Sequence, residues 1–378
     1  MSLMTKKVLH IIWDSEFGGI ERLAHQLIAE QLKFSAFLPS ILIAKKSKPI
    51  NWEFESNQSI EAFYLNFTSG FDWNKANLKE TLKLFNQHQI LHFHFFNPLI
   101  FHLALKSTAS IVFTEHGNFG FGRKKRVNDQ ILDLLKTYFL NKKGVFLTFN
   151  SAFSHKIAKK KYLKKSNQNY QIVPNGIDLS ASESLMNSTE NAEVIQNLKN
   201  RLANKTVIGT ASRFAKVKRI DRLIQAFSTL EHKENLVLLL IGDGPLKEDY
   251  KMLSKKLGIE KHLIFTGYLK EALDAQQLID ICVLPSQNEA FGLVAVEALS
   301  LGKPTLVFED GGGVVEIIEN IEKNDIVPNE EGLANRMKFY LEHPEERDKR
   351  KEERIKYSQN YSIQKMAIQV KNIYSDLV

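Results

Sequence analysis

Two glutamates eight residues apart, Glu289 and Glu297, stand in the segment PSQNEAFGLVAVEALSLGKP, residues 285–304. The apolar run before it, ICVL, reads as a strand, and in an open α/β sheet the loop leaving such a strand bears the ligand. Glu289 falls in that loop and Glu297 two turns into the following helix. Between them, residues 290–292 offer small or flexible backbone that allows close approach, and the helix N-terminus favours an anionic or hydroxyl-rich ligand. Two carboxylates on one helix side also occur as plain surface charge. A second candidate is HFHF, where His92 and His94 share one strand face. Their spacing suits a metal pair, but no third ligand is obvious, so a structural or substrate-binding role is expected and no metal. FGGIER supplies only the adjacent pair Gly18 and Gly19, short of a G-x-G-x-x-G fingerprint, and GDGP lacks the lysine and hydroxyl of a P-loop. Both weigh against a dehydrogenase or a P-loop ATPase.

These residues need a frame, and the apolar pattern provides one. KVLHIIW, FLPSILIA, SIEAFYL, QILHFHF, ASIVFTEHG, GVFLTFNS and YQIVPNGI read as strands, with helical patterns between most of them. After a polar stretch the alternation restarts with KTVIGTASRF, ENLVLLLIGDG, HLIFTGYL, DICVLPS and KPTLVFE. Repeated strand–helix alternation predicts parallel sheets covered by helices on both faces. The expected division is a Rossmann-like domain over residues 1–180, a linker over 181–204, a second Rossmann-like domain over 205–360 and a C-terminal helix over 361–378.

With 378 residues, 43% hydrophobic and 25% charged, the chain can build two substantial cores. Its single cysteine excludes an internal disulfide framework and a thiolate-rich metal site, which suits a reducing, cytoplasmic setting. Apolar runs such as Leu236–Ile241 fall far short of the roughly 20 residues that cross a bilayer. The net charge of +8 is uneven: residues 1–180 carry 24 Lys+Arg against 13 Asp+Glu, and residues 123–165 carry 13 against two. Within that basic region, VNDQILDLLKTYFL places Val127, Ile131, Leu134, Leu135 and Tyr138 at helical spacing. Flanked by RKKR and a run of lysines, such a helix can lie on an anionic membrane surface. It can equally pack its stripe on a core and leave the lysines solvated. Nucleic acid is not expected, because no stacking platform or recognition-helix signature accompanies the charge.

Seven segments, in order, resemble the retaining glycosyltransferases of the GT-B fold, specifically glycosyltransferase family 4. They are FGGIER, TEHG, VPNGID, ASRFAKVKRIDRLIQAF, LIGDGP, EAFGLVAVE and FEDGGGVVEII. The resemblance spans nearly the whole chain. It implies two facing Rossmann-like domains with a donor/acceptor cleft between them and a C-terminal helix crossing back to the first. By that pattern Arg213 and Lys218 clamp the diphosphate of a UDP- or GDP-sugar, Glu297 meets the ribose, and Glu289 faces the hydroxyls of the transferred sugar. Phe291, Gly292 and Leu293 present backbone N–H groups to the donor, Gly18 and Gly19 let the first loop approach the phosphate, and His116 lies beside the donor sugar. Glu316 supports the donor site or is ordinary helix surface; Asn175 and Asp178 read as hinge and turn residues.

What the resemblance implies is transfer of a hexose or N-acetylhexosamine, with retention, to a hydroxyl of a lipid-linked saccharide or growing surface polysaccharide. No Asp-x-Asp pattern of the metal-dependent class appears, so neither a metal nor another cofactor is expected. The basic region would hold the enzyme on the cytoplasmic face of the inner membrane. A soluble sugar acceptor and a non-catalytic nucleotide-sugar-binding protein are the alternatives. A phosphorylase would need a pyridoxal-phosphate lysine in its own context and a longer chain.

Overall fold

The computed structural model describes residues 5–14, 18–45, 60–67, 75–117, 119, 127–142, 144–163, 169–179, 191–270 and 272–378. The chain divides into two compact units, one formed by Met1–Gly176 with Ile363–Val378 and the other by Ile177–Ser362.

In the first unit the strands are β1 (Lys6–Ile12), β2 (Phe37–Lys45), β3 (Ala62–Phe67), β4 (Ile90–Phe93), β5 (Ser110–Glu115), β6 (Val145–Phe149) and β7 (Tyr170–Ile172). They form one sheet in the order β3-β2-β1-β4-β5-β6-β7, with every pairing parallel. Near-continuous apolar runs such as VLHII and ILHF fit a sheet covered on both faces. Alternate residues serve opposite faces. Leu9 and Ile11 join a core with Phe93, Phe101 and Phe139, whereas Val8 joins one with Leu23, Leu27, Val370 and Tyr374. The second of these cores is closed by helix α1 (Gly19–Gln31) and by the C-terminal helix, Ile363–Leu377, which belongs to this unit despite its distance in sequence. The other face carries α2 (Lys75–Phe85), α3 (Pro98–Ala104), α4 (Val127–Leu140) and α5 (Ala152–Lys161), several of whose side chains join that core.

The second unit repeats the plan. Strands β8 (Thr206–Ala211), β9 (Leu236–Ile241), β10 (Leu263–Gly267), β11 (Ile281–Leu284), β12 (Thr305–Phe308) and β13 (Ile326–Val327) pair in parallel in the order β10-β9-β8-β11-β12-β13. In both sheets the strand order reverses beside the first strand, at β1/β4 and at β8/β11, which is where ligands bind in folds of this kind.

The stretch 181–204 differs from the expected linker. Residues 180–190 lie outside the described residues, but 192–202 form a helix, α6 (Ala192–Leu202), whose Leu198 and Leu202 are buried in the second unit's core. Isoleucine and leucine at positions 195, 198 and 202 supply a helical stripe that the polar residues around it obscure.

Candidate active site

At the switch point of the second sheet, the loop after β8 carries Arg213 and Lys218, and the loop after β11 carries Glu289. Backbone hydrogen bonds tie the loops together. Gln287 N–H donates to Val217 O at 2.9 Å, Asn288 N–H to Asp310 O at 2.9 Å, Glu289 N–H to Gly311 O at 2.8 Å, and Gly313 N–H to Glu289 O at 2.7 Å. Lys218 Nζ pairs with Glu289 Oε1, bringing together two residues 71 apart in sequence. The other carboxylate oxygen, Oε2, is buried and has no hydrogen-bond partner among the described residues. Burial pushes this carboxyl up, but the Lys218 ammonium beside it and hydrogen bonds from Lys218 and Ser286 outweigh that and hold it below the usual carboxylate range. The result is an ionised carboxylate with one open acceptor. Arg213 is exposed, and its guanidinium has no hydrogen-bond partner among the described residues.

Two glycines make the loop packing possible. Gly292, at φ 108°, ends the Glu289 loop and opens helix α10, Leu293–Ser300 (after α7, Ile220–Ser228; α8, Lys247–Lys256; and α9, Leu273–Gln276). A Cβ there would lie 2.7 Å from Val314 Cγ2. Gly242, at φ 127°, lets the end of β9 pass Ser212, whose carbonyl oxygen a Cβ would meet at 2.1 Å. Phe291 is buried and stacks edge-on against Tyr361 at 5.8 Å, which anchors the start of α10. The N–H groups of that start are the orphan donors of a helix N-terminus. Glu297, half-buried on α10, accepts a hydrogen bond from Gln276 Nε2 at 2.8 Å. Glu316 is half-buried in the first turn of α11 (Gly313–Glu319).

At the first unit's switch point, Gly18 caps α1 and Gly19 begins it; residues 15–17 of this loop lie outside the described residues. Gly18 has extended backbone, and a Cβ at Gly19 would meet nothing within 4 Å. The structure therefore gives no internal reason for Gly19 to lack a side chain. His116 follows β5, and its Nε2 stands 3.2 Å from His94 Nδ1. The preceding residue, Glu115, is buried, receives Lys136 Nζ at 2.9 Å, the Tyr162 hydroxyl and Gly117 N–H, and so anchors the turn. Lys136, one of the basic residues in 123–165, therefore faces inward.

His92 and His94 do share one face, and the structure supplies the third histidine that the spacing of HFHF could not. The β1–β4 register sets His10 directly opposite His92. Candidate ligand nitrogens of His10, His92 and His94 lie within 4.8 Å of one another. All six ring nitrogens already have a hydrogen-bond partner, however, at 2.6–3.2 Å. Burial lowers every one of these imidazoles, His10 and His116 to about 4 and His92 and His94 well below their ordinary value, so all four are neutral at pH 7. Sequence reasoning missed His10, Gln31 and Tyr374 in this cluster. The alternation of VLHII, with a histidine at a core position, was the one available signal.

The class follows from two parallel, doubly wound sheets, each with its strand order reversing beside its first strand: this is a GT-B fold. A UDP- and glucose-bound structure of Anabaena Alr3699/HepE matches over 98% of this chain and all of that one, with a TM-score of 0.77 and 17% identity. The structure of WaaG, a glycosyltransferase involved in lipopolysaccharide biosynthesis, matches over 97% and 99%, with a TM-score of 0.73 and 14% identity. Residues 192–357, within the second unit, match the family of glycosyl transferases group 1. N-acetyl-alpha-D-glucosaminyl L-malate synthase of Bacillus anthracis is 31% identical over 171 residues, 44% of either chain. The match thus spans less than half the length of that relative.

Proposed function

We propose that the protein transfers a sugar from a nucleotide-sugar donor to an acceptor hydroxyl, with retention of configuration and without a metal. The observation that carries this reading is the half-buried, ionised Glu289 held by Lys218 with one buried oxygen open, and the exposed Arg213 on the same loop as Lys218. A carboxylate acceptor paired with one cation, with a second cation on the same loop as the first, suits a ligand that joins sugar hydroxyls to a diphosphate. Arg213 offers a guanidinium fork and Lys218 a mobile point charge, and together they offset the charge that develops on the leaving diphosphate. Glu297 is assigned the ribose hydroxyls, and the N–H groups of Phe291, Gly292 and Leu293 the donor oxygens. The bond from the anomeric carbon to the phosphate oxygen breaks with its electron pair leaving on the diphosphate. The acceptor oxygen bonds to the same face, and its proton passes to the leaving phosphate. Anabaena HepE, of the same fold, binds UDP and glucose, and this supports UDP as the nucleotide to try first.

The first unit is assigned the acceptor, with His116 and the Gly18–Gly19 loop at the edge of its sheet as the groups that meet substrate. A lipid-linked saccharide, in lipopolysaccharide or another surface polysaccharide, is favoured by a specific feature of α4. Ile131, Leu134 and Tyr138 are 47%, 68% and 58% exposed, so these three residues of the helix face outward, whereas Leu135, Phe139 and Leu140 pack on the core. Lys142 lies over the Tyr138 ring at 4.1 Å, and Lys156, Lys159 and Lys160 on α5 are exposed. The basic run 123–126 and Lys164–Lys165 lie outside the described residues, as does the side chain of Val127. An outward apolar stripe among cations suits the surface of an anionic bilayer. No helix among the described residues is long and apolar enough to cross a membrane.

Thermal unfolding with UDP-, GDP-, ADP- and TDP-sugars in EDTA tests the donor assignment. One class is expected to raise the unfolding temperature of the wild type and to leave R213A/K218A unmoved. Stabilisation of neither protein by any of them would overturn the assignment.

A further inference from the structure

Three buried histidines, His10, His92 and His94, and the half-buried His116 form two hydrogen-bonded strings that meet at one side chain, Gln31, the last residue of α1. In the first string, Gln31 Oε1 lies 2.7 Å from His10 Nε2, His10 Nδ1 lies 3.0 Å from His94 Nε2, and His94 Nδ1 lies 3.2 Å from His116 Nε2. In the second, Gln31 Nε2 donates to the Tyr374 hydroxyl at 3.5 Å, and that hydroxyl lies 2.6 Å from His92 Nδ1. His92 Nε2 then lies 2.6 Å from Thr114 Oγ1, which lies 2.6 Å from Thr148 Oγ1. Gln31, His10, His92, His94 and Tyr374 are all buried, so water does not supply substitute partners.

A neutral imidazole has one N–H and one lone pair, so each link decides the next. An amide oxygen only accepts. With the Gln31 amide turned so that its oxygen faces His10 and its nitrogen Tyr374, His10 donates from Nε2, which leaves its Nδ1 to accept. His94 must then donate from Nε2 and accept at Nδ1, and His116 must donate from Nε2. The same rule runs through the second string: the amide N–H is taken up by the tyrosine oxygen, the tyrosine hydroxyl donates to His92 Nδ1, and His92 donates from Nε2. We infer that Gln31 is a positioning residue that fixes the tautomer of His116 through His10 and His94, so that His116 presents the lone pair of Nδ1, and not an N–H, at the edge of the sheet. The consequence for substrate rests on the reading of His116 as a group that meets a sugar hydroxyl: that hydroxyl donates to the imidazole. The carboxamide at the far end cannot take up a proton, so the string orients His116 and does not conduct protons away from it. Burial of the rings keeps the string neutral, which the argument requires.

The test is two-bond 1H–15N correlation of the protein labelled with 15N-histidine at pH 7.5, with rings assigned by single His→Asn replacements. It reads tautomers directly and needs no turnover. His10, His94 and His116 are expected to be Nε2–H in the wild type. Gln31→Leu is expected to abolish that uniform pattern, and Gln31→Glu, which keeps an acceptor for His10, to preserve it. An Nδ1–H or cationic form at any of the three rings, or a pattern unchanged in Gln31→Leu, overturns the inference. So does stoichiometric metal in the purified protein, which would claim the lone pairs of His10, His92 and His94. In donor turnover, Gln31→Leu is expected to lower kcat about tenfold with donor KM unchanged, and Gln31→Glu to recover it. Equal loss in both variants overturns the positioning role. Absence of any turnover in the wild type, with the tautomers as given, overturns the functional reading and leaves the string intact.

Discussion

Lys218 and Glu289 hold each other in place, and their interdependence separates binding from stability. Lys218→Ala leaves an ionised, largely buried carboxylate without its counter-ion and is expected to cost the second unit about 2 kcal/mol. Adding Glu289→Gln should recover most of that loss, because an amide needs no counter-ion; a double-mutant cycle on thermal unfolding checks the coupling. Glu289→Gln alone is expected to lower kcat/KM by 10²-fold or more while the second unit keeps its stability, since the charged acceptor is the feature removed. The buried histidines add a pH dependence to the first unit. Unfolded histidine takes up a proton near pH 6.5, whereas His10 and His116 in the folded chain do so only near 4. The unfolded state binds more protons between these values, so stability is unaffected above the window and falls as pH drops through it. By pH 5 each such ring costs about 2 kcal/mol. Thermal unfolding at pH 7.5 and 5.0 reads this; equal stability at both would show the rings to be protonated in the fold.

At the scale of elements, the candidate site is built from strand ends and the turns that leave them. Gly292→Ala combines a positive φ with a side-chain collision and is expected to destabilise the second unit by about 2 kcal/mol or more and to misplace the start of α10. Donor-dependent stabilisation should be lost with it. Helix α4 makes the opposite case, in which the elements stay folded and one surface changes. I131S/L134S/Y138S removes exposed apolar groups, so unfolding temperature and turnover of a soluble donor should hold while co-sedimentation with anionic vesicles falls at least tenfold. Undiminished vesicle binding would assign attachment to the lysines alone.

Sequence periodicity could not have distinguished an outward from an inward stripe on α4, because both give the same spacing; only packing decides it. The helix over 192–202 was hidden for a related reason, its few apolar residues being diluted by asparagine, glutamate and lysine. Strand–helix alternation, by contrast, was legible throughout, since parallel strands buried on both faces are nearly continuous in valine, isoleucine and leucine. In the candidate site, residue type and spacing singled out Glu289 and the family resemblance Lys218 and Arg213, but neither gave the Lys218–Glu289 pairing, which depends on the register of β8 against β11. The third histidine of the buried cluster was hidden in the same way, by strand register, and Tyr374 comes from the far end of the chain.

Taken as a whole molecule, the chain is two sheets of the same winding, with the last helix returned to the first. We propose that the second of them holds a nucleotide sugar through Arg213 and Lys218 and that the protein breaks its glycosyl–phosphate bond. The most direct measurement is release of nucleoside diphosphate from UDP-, GDP-, ADP- and TDP-sugars in EDTA, with and without a saccharide acceptor, by the wild type and by R213A/K218A. The expected result is release from one nucleotide class by the wild type, accelerated by acceptor and at least 10²-fold slower in the double variant. Equal release by both proteins, or release by neither from any donor, would contradict it.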